Sequence, residues 1–422
     1  MSTTEAGGVI TLTEADLDPY VTHARTRQWL TGPGLPADSA LLGFDALREA
    51  TTPTRPGLRR VADLVDDAEK LAGELRDQLV IGALRTFDRD LESVVLDGAT
   101  GAVSTTYFHG SASLMDRSPL APSLEALVRF AAATEELAGC RGQFAAYEGR
   151  HGPKAVAAAS EQLSAVFTST VGDDVAPYWR MAAMIRPLAR IAGPGAGLAL
   201  DLPPRLLDEE FGASGIVRFE DVDFPATLTH EPTRRFLREV GLPENGYWFE
   251  VDTDVPLPTL AEHYADELSG AFTDGELPAG ADHLIRLGHL LEDTSLVVDG
   301  VTGAVLCWSE PDGTLRPLNT DISTLAFTAW LLHREKALDA DHDLTGAYEQ
   351  LAATMAQTLA LVDPIACDPT PTTPEDDGLR YWPEAFEDRA GGGLHAAEPD
   401  GDLKTRPDRT SSTRLTFTRD LA

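Results

Sequence analysis

The sequence contains little cysteine and little lysine. Only three of its 422 residues are cysteine (Cys140, Cys307 and Cys367), and only four are lysine. The three thiols stand alone without a CxxC spacing, which argues against a disulfide framework, a zinc ribbon or a redox pair. The formal charge at pH 7 is −34. This charge predicts repulsion of nucleic acid and attraction of a basic protein partner, although a GC-rich coding bias is an alternative explanation of the composition.

Long apolar segments are also missing. No run approaches the roughly 20 apolar residues needed to span a bilayer. The first residues, MSTTEAGGVITLTEADL, lack the basic start and apolar core of a secretory signal. We therefore expect a cytoplasmic protein without a membrane anchor. The length predicts two to four domains, because a single core of this size would be unusually large.

Sequence motifs of the common enzyme classes are missing as well. There is no G-x-S-x-G elbow, no H-E-x-x-H or P-C-x-x-C zinc motif and no G-x-x-x-x-G-K-[ST] phosphate loop. We therefore expect no catalytic residue, no metal ion and no cofactor. An unfamiliar hydrolase that uses acidic residues in a cleft between domains stays an alternative.

The sequence contains a long internal repeat. VVLDGATGAV (94–103) returns as LVVDGVTGAV (296–305), with seven of ten residues identical. Four further segments recur in the same order: 22–36 with 229–243, 119–128 with 317–326, 161–170 with 349–358, and Tyr178-Trp179 with Tyr381-Trp382. A shared order over this length indicates a tandem duplication.

The repeated segments have local structural interpretations. The Asp-Gly and Thr-Gly pairs predict a β-hairpin, so Gly98, Gly101, Gly300 and Gly303 serve backbone geometry rather than phosphate binding. Thr22 or Thr26, and Thr229 or Thr233, are predicted helix N-caps, and Ser123 and Asp321 are predicted caps of later helices. The retained pair His23 and His230 suits a capping or staple position better than a ligand or switch role. Trp179 and Trp382 are expected in the core.

Irregular alternation of helices and strands, together with the hairpins, predicts an α+β architecture. We expect a first unit at 12–192, a connector at 193–215, a second unit at 216–394 and a mobile C-terminal tail at 395–422, in which TRLTFTRDL is a possible late strand. Each unit is expected to pack a β-sheet containing the antiparallel hairpin against helices and to close its own core.

The combination of TRRFLREVGLP, VVDGVTGAV, a helix after PLN and a late YWPE resembles the SUKH-4 group of bacterial immunity proteins. This group belongs to the SUKH superfamily, which includes Smi1/Knr4-like proteins. The resemblance covers most of 12–394, and the first unit departs from the pattern at TGPGLP and at Ala121, where the second has Asn319. It implies two tandem SUKH-like α+β units without catalytic activity, which bind a cognate polymorphic toxin inside the producing cell, often a nuclease or deaminase.

The favoured hypothesis is therefore an immunity protein that binds a basic cognate toxin, with neither nucleic acid nor membrane as partner and with the oligomeric state undetermined. A Smi1/Knr4-like scaffold or regulatory module is the alternative among binding proteins. The acidic residues just before each hairpin, Asp88, Asp90 and Glu92 in one unit and Glu292 and Asp293 in the other, are the predicted partner-binding residues, and a solvated loop is their alternative role.

Overall fold

A computed structural model describes residues 8–37, 39–50, 58–86, 89–246, 248–267, 277–290, 294–369, 378–389 and 393–394. The predicted tail at 395–422, with its possible late strand, lies outside the described residues. The structure is α+β, as predicted, and each of its two halves opens with a strand, a helix and a strand and ends with four strands followed by three α-helices.

The described residues of the first half form eight strands and six α-helices. The strands are β1 (Val9–Ile10), β2 (Leu35–Pro36), β3 (Leu42–Gly43), β4 (Arg59–Arg60), β5 (Leu79–Arg85), β6 (Asp90–Leu96), β7 (Val103–Thr106) and β8 (Ser118–Ala121). The helices are α1 (Ala24–Thr31), α2 (Asp45–Ala50), α3 (Gly73–Arg76), α4 (Leu124–Ala138), α5 (Pro153–Val171) and α6 (Pro177–Ile185). Strands β3, β5, β6, β7 and β8 form one antiparallel sheet in that order, and β4 also pairs with β5.

A small hairpin of β9 (Gly193–Pro194) and β10 (Leu200–Asp201), followed by α7 (Leu206–Phe211), joins the halves. The strands of the second half are β11 (Ile216–Val217), β12 (Leu242–Pro243), β13 (Asn245–Gly246), β14 (Phe249–Val251), β15 (Leu284–Leu290), β16 (Thr294–Asp299), β17 (Val305–Ser309) and β18 (Thr314–Asn319). Its helices are α8 (Glu231–Glu239), α9 (Leu260–Glu267), α10 (Ile322–His342), α11 (Tyr348–Val362) and α12 (Tyr381–Glu387). Strands β13 to β18 form the second antiparallel sheet in chain order.

Both faces of each sheet are covered by apolar side chains. Along β6, Val94 joins the large core cluster of the first half, whereas Val95 belongs to a smaller cluster. Leu296 and Val297 repeat this alternation along β16. Successive side chains of a strand point to opposite faces, so the longer helices cover one face and short segments cover the other. Burial on both faces of the sheet explains the near-continuous apolar runs, VVL on β6 and LVV on β16.

The two halves do not close their cores separately, contrary to the expectation from sequence. Met181, Ile185, Leu188 and Ile191, from α6 and the turn after it, belong to the core cluster of the second half. Ala353 of α11 belongs in turn to the core cluster of the first half. Helix α11 therefore lies between the two units and is buried on nearly all sides.

The helix caps were predicted correctly where the cap is local. Ser123 accepts a hydrogen bond from the Ala126 N–H at the start of α4, and Asp321 accepts from the N–H groups of Ser323 and Thr324 at the start of α10. The prediction of threonine N-caps for α1 and α8 was wrong. His23 and His230 are the N-cap residues, and neither side chain forms a capping hydrogen bond.

Candidate partner-binding surfaces

The repeated hairpin turn and the repeated histidine form one structural unit in each half. The Gly98 carbonyl accepts from the Thr22 and His23 N–H groups, both at 2.8 Å. The Gly300 carbonyl accepts from Thr229 and His230 at 2.8 and 2.9 Å. These two pairs of bonds hold the N-terminus of α1 or α8 against the turn, in place of a side-chain cap.

Side chains complete the same contact. His23 Nδ1 lies 2.9 Å from Thr26 Oγ1, and His230 Nδ1 lies 2.8 Å from Thr233 Oγ1. Gly101 and Gly303 have φ of 82° and 79°, and a Cβ atom on either would collide with the histidine ring. The glycines, histidines and threonines of the repeat are therefore occupied in holding the helix on the turn, as the scaffold interpretation predicted.

The repeated arginine has a similar role. Arg27 donates to the Val21 carbonyl at 3.0 Å and to Glu14 at 2.5 Å. Arg234 donates to the Leu228 carbonyl at 3.4 Å and to Asp221 at 3.3 Å. Each arginine ties the loop before the helix to the helix itself.

The predicted acidic residues occupy different environments. Glu92 lies at the boundary between the units, where its Oε2 accepts from Gln350 Nε2 of α11 at 2.9 Å. Asp90 is exposed, with its Oδ1 3.6 Å from Arg85 Nε. Asp88, Glu292 and Asp293 lie outside the described residues. Their role in binding stays a prediction.

The β5–β6 end of the first sheet faces the second unit. Gln357 Nε2 donates to the Arg85 carbonyl at 2.7 Å, and Arg89 pairs with Glu387 of α12 at 2.5 Å. At the corresponding end of the second sheet, the exposed Glu250 lies 3.7 Å from His289 of the neighbouring strand. The duplication thus places equivalent strand ends in unequal surroundings.

Comparison with protein-family models gives a match to the SUKH-4 immunity protein over two regions, residues 2–179 and 202–388. The chain belongs to the SUKH-4 immunity protein family. Comparisons with curated proteins and with solved structures gave no significant match. Membership implies an immunity function with a cognate toxin as the partner. One matched region falls in each structural half, and together they leave out 180–201, which includes the end of α6.

The asparagine that distinguishes the second SUKH-4 unit lies in its core. Asn319 is 1 % exposed and accepts from Trp382 Nε1 at 3.0 Å. Its Nδ2 donates to Asp363 Oδ2 at 3.0 Å, and Asp363 also accepts from the Thr320 N–H and hydroxyl. In the first unit Trp179 donates instead to the Leu120 carbonyl at 2.9 Å. Asn319 therefore positions a core tryptophan and is not exposed to a partner.

One carboxyl group with a raised pKa lies in the second unit, but it is buried in the core and does not line a cleft. Burial, reinforced by Asp339 one turn away, raises the pKa of Glu335 to about 8. Glu335 is fully buried on α10. Between the units lies a cavity of about 50 Å³, room for one or two water molecules, lined by Leu137, Ala138, Arg186, Ala189, Arg190 and Leu361. Its polar side chains are arginines, whereas the hydrolase alternative requires carboxylates.

Three further features of the described residues concern metal ligands, thiol chemistry and membrane crossing. Among them no three His, Cys, Asp or Glu side chains come together as metal ligands. Burial raises the pKa of Cys307 to about 12, so this thiol stays protonated at neutral pH. Within the same part of the chain, every helix is too short or too polar to cross a bilayer.

Proposed function

We propose that this SUKH-4 protein is a non-catalytic, cytoplasmic immunity protein that binds and neutralises a cognate polymorphic toxin with a basic surface, a nuclease or deaminase. The observation that carries the proposal is the family match over both halves of a strongly acidic chain. In this proposal 12–192 and 216–394 are the two SUKH-like units and 193–215 is their connector.

Charge supports a basic partner. Several half-buried arginines near the surface are already paired within the chain, among them Arg27 with Glu14, Arg60 with Asp63 and Arg238 with Asp221. Because the acidic residues outnumber the basic ones two to one, the remaining surface carboxylates create a negative field. Such a field accelerates association with a cationic protein, and coverage of the nucleic-acid-binding surface of a toxin inhibits it.

Co-expression with the cognate toxin, sought among the products of the neighbouring genes, tests the proposal. We expect protection of the cells and a purified complex that buries about 1,600 Å² or more. Added salt should slow association while leaving dissociation nearly unchanged. An unrelated acidic protein of similar size is the control.

The stoichiometry of inhibition separates binding from catalysis. A binding protein inhibits the toxin fully only when about one molecule of immunity protein is present for each molecule of toxin. A hydrolase that acts on the toxin or its product protects at a small fraction of that ratio. Protection by far less than one molecule of immunity protein per molecule of toxin would refute the proposal that the protein is non-catalytic. Lack of protection, with several non-toxic partners recovered, would favour a scaffold.

A further inference from the structure

The connection between the last two strands of the sheet differs between the units. In the second unit, β17 and β18 are joined by a tight turn at 310–313. In the first unit, β7 and β8 are joined by 107–117, which includes a 3-10 turn at Ala112–Leu114. This longer connection is the main departure from the repeat in this part of the sheet.

The longer connection is anchored at two points. Phe108 and Met115 pack with Val95 of β6 and with Leu71 and Leu75 in the small cluster on the outer face of the sheet. The N–H of Leu114 donates to the Ser111 carbonyl at 3.1 Å, which closes the turn between the anchors. The loop is therefore held in place by buried contacts at both ends.

The residue before each anchor points outward. Tyr107 is 54 % exposed and Leu114 is 63 % exposed. The Tyr107 ring packs edge-on against His109, with ring centroids 4.8 Å apart. Tyrosine is enriched among the residues that anchor protein interfaces, and the exposed leucine on the same fixed loop adds apolar area that a partner can cover.

Acidic side chains surround this loop. The turn Ala68–Lys70 contacts Ala112–Leu114. The nearby cations are already engaged: Lys70 pairs with Asp67 at 2.6 Å, Arg117 pairs with Glu74 at 3.1 Å, and Arg76 donates to the Glu69 carbonyl at 3.3 Å. Asp66, Glu69 and Asp116 are exposed, and none forms an ion pair with a described residue. The rim of the loop is therefore negative.

We propose that Tyr107, His109 and Leu114, with the rim residues Asp66, Glu69 and Asp116, form the surface on which the cognate toxin docks. This inference rests on the proposed function and names the binding face. The occupant is a basic protein surface with an apolar depression that takes Tyr107 and Leu114. The anchors, the partly buried Phe108 and the buried Met115, hold the loop before binding, which reduces the conformational entropy lost on association.

A double variant, Tyr107→Ser with Leu114→Ser, tests the apolar centre. We expect at least a 100-fold rise in the Kd for a catalytically inactive form of the cognate toxin, through faster dissociation. The matched control is Val222→Ser with Val301→Ser, which removes two valines of the second unit that are 79 % and 58 % exposed. The control should change Kd less than threefold, and both variants should keep the wild-type circular dichroism and Tm.

A triple variant, Asp66→Asn with Glu69→Gln and Asp116→Asn, tests the rim. We expect about a tenfold slower association at low salt and a weaker salt dependence, with unchanged dissociation. If wild-type protein binds and protects while both loop variants bind like wild type, the docking face is wrong and the immunity function stands. If wild-type protein neither binds nor protects, the proposed function fails and this inference fails with it.

Discussion

At the scale of single residues, Glu335 stands out because its carboxyl group is fully buried and neither oxygen has a hydrogen-bond partner among the described residues. Its neighbours on α10 are Asp339, which accepts from the Thr345 N–H and hydroxyl, and Lys336. Burial lowers the pKa of Lys336 to about 8. Tyr348 of α11 faces the same region, and burial raises its pKa. The uncharged carboxyl is the form that this environment favours.

Glu335 should make stability depend on pH. Its pKa rises from 4.5 unfolded to about 8 folded, so folding favours the protonated group. The stabilisation is complete below pH 4.5 and is lost as pH rises to about 8, at roughly 1.4 kcal/mol per pH unit. Lys336 acts in the opposite direction only above pH 8, because its folded pKa lies below its unfolded value. We predict that Glu335→Gln flattens the fall in unfolding free energy between pH 5 and 8, measured with urea.

The exposed Asp341 on the same helix provides the control, since Asp341→Asn should leave the pH profile unchanged. An equally steep profile in Glu335→Gln would show that other groups cause the pH dependence.

Asn319 should be essential to the stability of the second unit. Asn319→Ala leaves the buried Trp382 Nε1 without its acceptor and removes one of the two hydrogen bonds to Asp363 Oδ2, which should cost about 2–4 kcal/mol of unfolding free energy. The first unit carries Ala121, Pro122 and Val175 at the corresponding positions, so an apolar version of this core exists in the same chain. Adding Asp363→Val to Asn319→Ala should therefore cost less than the sum of the single changes.

Urea denaturation of the wild type, the two single variants and the double variant measures the coupling free energy between Asn319 and Asp363. Asn245→Ala, at an exposed position, is the neutral control. Additive losses would mean that Asn319 and Asp363 act independently.

At the scale of elements, the contact between hairpin and helix should depend on one glycine in each unit. Gly101→Ala and Gly303→Ala each force a Cβ atom into a histidine ring and place alanine at positive φ. We predict that either variant loses about 3 kcal/mol or more of unfolding free energy. Positive φ alone costs alanine roughly 1–2 kcal/mol, and the collision with the histidine ring adds to that cost. Gly313→Ala is the matched control, because its φ is 61° and its Cβ would meet open space.

Equal losses in all three alanine variants, measured by thermal or urea unfolding, would show that φ and not the histidine contact controls these positions.

The elements predicted correctly from sequence are those specified by neighbouring residues. The hairpins follow from Asp-Gly and Thr-Gly between apolar runs, and the caps Ser123 and Asp321 lie directly before the helices that they start. The N-termini of α1 and α8 were missed because their N–H groups bond to a turn about 75 residues later in the chain. Local propensity contains no information about such a partner. The same limit applies to Glu92, whose partner on α11 belongs to the other unit.

At the scale of the whole molecule, the shared core was missed although α11 carries a signal for it. EQLAATMAQTLA (349–360) has alanine, threonine or larger apolar residues around the whole helix, and a helix without a charged face is one buried on all sides. The similarity of the two repeats suggests two equivalent units, and equivalent units would not bury one helix on all sides. Tandem packing makes them unequal: α11 of the second unit contacts the first, whereas α5, its counterpart, has an exposed side.

The shared core predicts that the two units unfold together. Burial of α11 against α6 and the first sheet couples their stabilities, so differential scanning calorimetry of the full chain should show one cooperative transition. Ala353→Asp places a charge at the point where α11 enters the core of the first unit, where the side chain is 6 % exposed. An unpaired buried charge costs about 3–5 kcal/mol, and the lost contact should divide the single transition into two. Ala337→Asp, at an exposed position of α10, should keep the transition single. Two transitions in the unmodified protein would mean that the units fold independently and that α11 contributes little across their boundary, in which case an immunity surface on one unit would not require the other.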